Sequence, residues 1–291
     1  MICKNPLSYP GNKNKLLKEI IPYVCQTEIF IDVFCGSGVV GINSMPKNII
    51  LNDINEWATK ILEIFYAISF ETLVDEIEKR INLYNLTYSR IANKGTYIEK
   101  KHEGLSIYNK EGFKKLKDHF NREKDIYDLI VLCIYGFNHY MRFNKQNEFN
   151  VPVGKVDFSK SIYEQLNNFT ELLKSKKVVF SNLDFRNEKL YNEKKAIYYF
   201  DPPYLITTAP YNNSWTLKEE TELLELLDKL NAEEKKFILS NVLTSNGKRN
   251  ELLIEWSKKY KVINMKRQYR NANYQKINIS DSQEVIILNY W

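Results

Sequence analysis

Cysteine, histidine and long apolar runs are all scarce in this 291-residue chain, and each scarcity removes a class of answers. The four cysteines (Cys3, Cys25, Cys35, Cys133) form no Cys-x-x-Cys pair and adjoin no histidine cluster, which argues against a zinc site and a disulfide framework. Free thiols suit a reducing compartment, so a cytoplasmic protein is expected. His102, His119 and His139 are the only histidines, and none keeps company with a Ser or Cys in a triad-like context, so hydrolase chemistry has no support. No apolar run approaches the roughly 20 residues that span a bilayer, and Met1 to Pro10 lacks the apolar core of a signal peptide. Neither a metal nor a membrane is expected as a partner. Internal repeats and low-complexity tracts are also missing.

What is present fits a globular chain long enough to bury a core. Hydrophobic residues make up 44% and aromatic residues 13%, which excludes a disordered or fibrous chain. A net charge of +6 is compatible with a polyanionic partner without requiring one. Short apolar runs read as buried strands at Ile29–Phe34, Ile49–Asn52, Lys177–Phe180, Ala196–Phe200, Lys236–Leu239, Tyr260–Asn264 and Glu284–Asn289. Helix-like stretches separate most of them, as a parallel α/β fold requires. Gly11–Gln26 and Thr216–Leu230 carry their apolar residues at helical spacing. From about Glu56 to Asn147 the pattern turns helical, charged and rich in Tyr and Lys, with helices predicted over Phe70–Leu86, Asn109–Phe120 and Asp125–Met141. A short hairpin arm is predicted at Phe149–Val153. This middle reads as an α-helical insertion between the second and third strands.

Two turns carry the chemistry. The strand Ile29–Phe34 runs into Cys35-Gly36-Ser37-Gly38, with Asp32 inside the strand and Phe34 beside the turn. Glycines there allow a tight turn and close approach of a ligand at the carboxyl edge of a sheet. The second strand ends on Asp53, where a doubly wound fold brings a carboxylate to ribose hydroxyls. The spacing is D-x-F-x-G-x-G, not the dinucleotide fingerprint G-x-G-x-x-G, which disfavours a dehydrogenase. Asp32 beside the turn suits a cationic ligand end and would be unwelcome next to a phosphate. A Gly-rich turn with a helix-capping Asp accounts for the glycines equally well. The second turn follows Ala196–Phe200: Asp201-Pro202-Pro203-Tyr204. Two prolines fix φ and remove two backbone donors, leaving the Asp201 and Pro202 carbonyls to face a ligand. A carboxylate and a carbonyl match the two N–H donors of a planar amine, and Tyr204 offers a stacking face. The bland alternative is a Pro-rich turn that ends a buried strand.

Asp201-Pro202-Pro203-Tyr204 resembles the catalytic motif of amino-group DNA methyltransferases, and Asp32 to Gly38 their cofactor motif. The order of cofactor motif, insertion and catalytic motif is similar to the alpha class, the family of the DNA adenine methylase. Tyr9-Pro10-Gly11-Asn12-Lys13, Asn52-Asp53-Ile54-Asn55, Asn182-Leu183-Asp184-Phe185 and Leu239-Ser240-Asn241 resemble further motifs, so the likeness spans nearly the whole chain. It implies a class I methyltransferase (Rossmann-like) fold: a seven-stranded α/β sheet whose last strand is antiparallel, plus an inserted α-helical target recognition domain. Residues 1–56 and 158–291 would form the catalytic, S-adenosylmethionine-binding domain and 57–157 the recognition domain. By the same resemblance, Tyr9, Lys13, Asp32, Phe34, Gly36, Gly38, Asp53, Asp184, Phe185 and Asp201 bind cofactor. Asp201, with Pro202, Pro203 and Tyr204, holds the target amino group of adenine.

Phe137-Asn138-His139-Tyr140-Met141-Arg142-Phe143-Asn144 and Glu148-Phe149-Asn150 resemble that family's recognition segment. Arg142 can read guanine O6 and N7 bidentately, Phe137 or Tyr140 can wedge into the base stack when adenine is flipped, and Asn138, Asn144 and Asn150 can bond exposed bases. A phosphate contact or an internal ion pair for Arg142, and helix packing for the aromatics, stay open. The family closes over the flipped base near Lys266–Asn273, so Arg267 or Arg270 is expected on the DNA backbone. The expected activity is N6-adenine methylation of double-stranded DNA at GATC or another site beginning with GA. A monomer is expected, with a restriction endonuclease of the same site as a possible companion. The competing readings are N4-cytosine methylation, where Ser commonly replaces Asp201; an RNA or protein-glutamine methyltransferase, where Asn does; and a catalytically inactive DNA-binding module.

Overall fold

The computed structural model describes all residues except 1, 8, 10, 12, 25, 26, 93–95, 98–102, 208–214, 266–281 and 291. The chain divides into two compact units, one of residues 1–12 and 57–175 and the other of 13–56 and 176–291. In chain order the elements are α1 (Leu17–Ile20), β1 (Ile29–Asp32), α2 (Val39–Asn43), β2 (Asn48–Asn52), α3 (Glu56–Ala67), α4 (Phe70–Leu83), α5 (Ser106–Glu123), α6 (Ile126–Tyr135), α7 (Lys160–Lys174), β3 (Lys177–Ser181), β4 (Ala196–Phe200), α8 (Leu217–Ala232), β5 (Lys236–Ser245), β6 (Lys248–Arg249), α9 (Glu251–Ser257), β7 (Lys261–Asn264) and β8 (Gln283–Leu288).

The second unit is built on one sheet of order β3-β2-β1-β4-β5-β8-β7, with the two-residue β6 paired to β5 as an eighth strand. Strands β1 to β5 are mutually parallel, and β8 lies antiparallel between β5 and β7. This is the class I methyltransferase arrangement, with the last strand reversed as expected. Every residue of β4 is buried, which explains the unbroken apolar run Ala-Ile-Tyr-Tyr-Phe: a central parallel strand has no solvent face. α8 covers one side with Leu223, Leu224, Leu227 and Leu230 against Tyr198, Phe200 and Phe237. Its start is fixed by a capping box, in which the Glu219 carboxylate accepts from Thr216 N at 2.8 Å and Thr216 Oγ1 from Lys218 N at 3.2 Å.

Several expected boundaries shift for local reasons. The helix expected over Gly11–Gln26 shrinks to α1 and a 3-10 turn, Ile21–Tyr23, because Pro22 has no N–H with which to continue the ladder. The first strand stops at Asp32, since the chain turns through Gly36 (φ 48°) and Gly38 (φ 73°). β5 runs on past Leu239 through the buried polar pair Ser240 and Asn241, which is why apolarity alone underestimates its length.

In the first unit α3 to α7 pack together. Ser69, Asp125 and Ser159 cap α4, α6 and α7 through side-chain oxygens. The helix expected over Asp125–Met141 ends at Tyr135, where Gly136 turns extended and pairs with Val153. A Cβ on Gly154 would lie 2.7 Å from the Gly136 oxygen, so the two backbones meet only because a glycine stands there. A second bridge, Phe143 to Phe149, closes the predicted arm as a small hairpin beginning before Phe149. α7, an amphipathic helix that the sequence reading did not single out, also belongs to this unit.

Candidate active site

Strand order reverses between β1 and β4: one neighbour chain of strands runs to β2 and β3, the other to β5 and β8. Ligands of open α/β sheets bind beyond the carboxyl ends of the strands at such a switch point. Register places Asp32 opposite Tyr199, so Asp201 follows two residues after the partner of Asp32. The topology thus brings together two motifs that stand far apart in the chain.

The glycine turn is braced from β2. Asp53 accepts from Gly36 N at 2.8 Å and from Asn55 N at 2.9 Å. Asn52, fully buried, donates to Val33 and Leu183 carbonyls (2.9 Å each) and accepts from Ser181 Oγ (2.7 Å) and Leu183 N (2.9 Å). All four of its hydrogen-bonding positions are used, clasping the ends of β1, β2 and β3. Asp32 accepts from Gly41 N at 3.2 Å through Oδ2, while its buried Oδ1 has no hydrogen-bond partner among the described residues. Burial, and next the Asp201 carboxylate, hold the Asp32 carboxyl well above the usual range. An orphaned acidic oxygen beside the turn fits the cationic end of a methionine-type cofactor.

Phe34, Phe185 and Trp215 form an aromatic group beside this turn, with centroids 5.5 to 5.9 Å apart. Trp215 in turn donates to Glu220 at 2.7 Å, which also accepts from Asn250 at 2.9 Å and Asn241 at 3.3 Å. Asp184 is held in a surface ion pair with Arg186, which also reaches Glu222 and covers the Phe185 ring.

At the end of β4, Asp201 Oδ1 receives the Lys13 ammonium at 2.6 Å and the Tyr204 hydroxyl at 3.2 Å. Oδ2 has no hydrogen-bond partner among the described residues, and the Asp201 side chain is 16% exposed. The acceptor that remains open is therefore on the accessible side of the carboxylate. Burial raises the Asp201 carboxyl from its ordinary range, opposed by the Lys13 ammonium. Lys13 also lies 5.0 Å above the Tyr204 ring and 3.9 Å from Glu284 of β8. Lys13, expected on the cofactor, thus faces Asp201, Tyr204 and Glu284. Glu284 was missed, although a lone carboxylate opening the apolar run Val-Ile-Ile-Leu was the available signal.

In the other unit, Arg142 is half-buried and donates through Nε to Asn150 Oδ1 (2.8 Å) and through Nη2 to the Asn150 carbonyl (3.1 Å). Asn144 spans its turn by accepting from Gln146 N (3.0 Å) and Glu148 N (2.9 Å). Asn138 takes a left-handed φ of 54°, and Phe137 beside it is 45% exposed. Tyr140 is half-buried. Tyr9 belongs to this unit too, and Arg267 and Arg270 lie outside the described residues. Among the described residues no cluster of ligands could hold a metal, and no helix is long and apolar enough to cross a membrane.

Asp53 makes a testable pH signature. Burial pushes its carboxyl from 3.8 up to about 6, against the amides of Asn55 and Gly36. The folded state holds this proton more tightly than the unfolded chain. Its stabilising contribution is therefore full below about pH 4 and lost as pH rises through about 6. The stability of the wild type relative to Asp53→Asn, from urea unfolding, is expected to fall across that window by at most ~1.4 kcal/mol per pH unit. A flat difference would contradict the assignment.

The chain matches the D12 class N6 adenine-specific DNA methyltransferase family over residues 9–271. It is similar to the type II methyltransferase M.FokI of Planomicrobium okeanokoites (37% identity over 99% of this chain and 43% of the relative). It is also similar to the modification methylase StsI of Streptococcus sanguinis (33%, 99% and 43%). The DNA adenine methylase of Escherichia coli K12 is 25% identical over 77% of this chain and 75% of its own length. The chain thus spans less than half the length of the two more similar relatives.

Proposed function

Because the chain belongs to the D12 class N6 adenine-specific DNA methyltransferases, we propose that it methylates N6 of adenine in double-stranded DNA, with S-adenosylmethionine as donor. The observation that carries this reading is Asp201, whose Oδ1 is held by Lys13 and Tyr204 while the accessible Oδ2 stays open at the switch point. An exocyclic amine has two N–H donors and a lone pair delocalised into its ring. Asp201 Oδ2 and the Pro202 carbonyl accept those two N–H groups, which favours a pyramidal nitrogen and localises the lone pair. Tyr204 supplies the face against which the base stacks. S-adenosylmethionine supplies an electrophilic methyl on a sulfonium sulfur. Asp32, the turn of Gly36 and Gly38, Phe34, Asp53, Asp184 and Phe185 would hold it. Positioning and electrostatics then provide the acceleration, with no covalent enzyme intermediate.

The helical unit is the target recognition domain in this reading. Asn150 holds the Arg142 guanidinium by Nε and one Nη2 proton, leaving the outer Nη1–Nη2 edge to read guanine. Phe137 is the exposed aromatic wedge, and Arg267 or Arg270 meets the DNA backbone. GATC or another site beginning with GA is the target, with a restriction endonuclease of that site as the companion activity and a monomer as the acting species.

The test is modified-base sequencing of DNA from a host without adenine methylation that expresses the protein. Every modified base is expected to be N6-methyladenine within one short motif; N4-methylcytosine, or unmodified DNA, would overturn the reading. The same measurement on Arg142→Ala tests base readout. Losing a bidentate guanine contact removes about 1–3 kcal/mol of discrimination, so methylation should spread to sites altered at one guanine. A uniform drop with the motif unchanged would make Arg142 a phosphate contact.

A further inference from the structure

Glu284 is a buried carboxylate on β8, and nothing in the reaction as derived above gives it a task. The Tyr204 hydroxyl lies 3.2 Å from Glu284 Oε1 and 3.2 Å from Asp201 Oδ1. A phenol carries one proton, so it can donate to only one of these two carboxylates at a time. The trio Asp201–Tyr204–Glu284 therefore has room for one further proton. Lys13 faces both carboxylates, at 2.6 and 3.9 Å, and supplies charge without taking up that room, because an ammonium has no acceptor. Glu284 is also among the residues that line a cleft of about 650 Å³, with Lys248, Arg249, Asn264 and Gln283.

Methyl transfer to N6 creates the demand for such a place. The N–C bond forms, the C–S bond breaks with its electron pair left on sulfur, and N6 is left with one proton more than neutral N6-methyladenine carries. We propose that Glu284 is the positioning residue that receives this proton through Tyr204: N6–H gives its proton to Asp201 Oδ2, the Asp201 carboxyl turns about Cβ–Cγ so that this O–H meets the Tyr204 oxygen while its other oxygen takes the Lys13 ammonium, and the Tyr204 hydroxyl proton moves to Glu284 Oε1, from which it is lost to solvent. Atoms and charge balance within the trio, and no further reactant is required. This rests on the proposed activity and extends it to where the proton goes.

The test is single-turnover methylation of unmethylated genomic DNA across a pH series, with binding of the same DNA and of S-adenosylhomocysteine measured in parallel. The other charged or ionisable groups facing Asp201 and Tyr204 are Lys13, Asp32 and Tyr199, and all are kept in every variant. Glu284→Gln preserves shape and hydrogen bonding but removes the acceptor. The methyl-transfer rate is expected to fall about 10- to 100-fold near neutral pH. The deficit should narrow as pH rises and hydroxide takes over, while both affinities stay unchanged. Glu284→Asp should recover part of the rate. Tyr204→Phe, which cuts the path at its middle, should reproduce the pH-dependent deficit if Glu284→Gln does not fold. In the ligand-free protein, the infrared carboxylate band of Asp201 should shift in Glu284→Gln, because the Tyr204 hydroxyl then faces one carboxylate instead of two. Wild-type rate and pH profile in Glu284→Gln, a deficit of the same factor at every pH, or an unmoved Asp201 band would each overturn the relay and leave the proposed activity standing. A wild-type protein that forms no N6-methyladenine would instead overturn that activity, and the relay with it.

Discussion

Asp201→Asn is expected to lower N6-methyladenine formation by at least about 100-fold, the cost of removing one preorganised electrostatic partner of the reacting group. The asparagine keeps a carbonyl that can accept one N–H, but it brings a competing NH₂ and loses the charge that draws the amine into place. Asn is the informative replacement because of Lys13. That ammonium is buried, with Asp201 at 2.6 Å and Glu284 only at 3.9 Å. Asp201→Ala would remove the nearest counter-charge of a buried cation and add a stability defect to the chemical one. Circular dichroism and thermal unfolding should show Asp201→Asn folded, and isothermal titration should show cofactor binding weakened far less than turnover. Retention of more than a few per cent of the wild-type rate would mean that Asp201 is not the amino-group acceptor.

Arg80→Ala should have the largest effect on stability. Its guanidinium donates to Asp128 at 2.8 Å, to Asp125 at 2.9 Å and to the Glu76 carboxylate, and it stacks on the Tyr127 ring. One side chain of α4 thereby pins the start of α6, where Asp125 is already the cap. Asp128 is buried, with His119 Nδ1 at 2.6 Å as its other partner. Removing the guanidinium leaves a buried carboxylate without its cation, which costs about 3–5 kcal/mol, a large share of the stability of an ordinary domain. Lysine cannot substitute, because an ammonium cannot address three carboxylates with the fork geometry of Arg. Denaturant unfolding should resolve the loss. The surface pair Lys229–Glu188, also 2.9 Å long but exposed, is the control: Lys229→Ala should change stability by no more than about 1 kcal/mol. Equal losses at the two sites would refute burial as the cause.

Features that depend on local chemistry and on period are legible in the amino-acid order. Ala196–Phe200 was legible as a strand to the residue, because a run buried on both faces must be apolar throughout. The leucines of Thr216–Leu230 announced α8 by their helical spacing. The D-x-F-x-G-x-G turn and Asp201-Pro202-Pro203-Tyr204 declared themselves by residue types that an ordinary turn seldom combines. The apolar spacing over Gly11–Gln26 suggests a longer helix than forms, because period alone takes no account of Pro22. Only the tertiary structure decided which distant residues meet. Glu284 enters the site because β8 inserts antiparallel between β5 and β7, a pairing that no local pattern encodes. Lys13 reaches Asp201, and Asn52 ties three strand ends, for the same reason. A buried polar group gains stability only from partners that complete its hydrogen bonds and charge, and those partners are chosen by the packing of the whole sheet rather than by their neighbours in the chain.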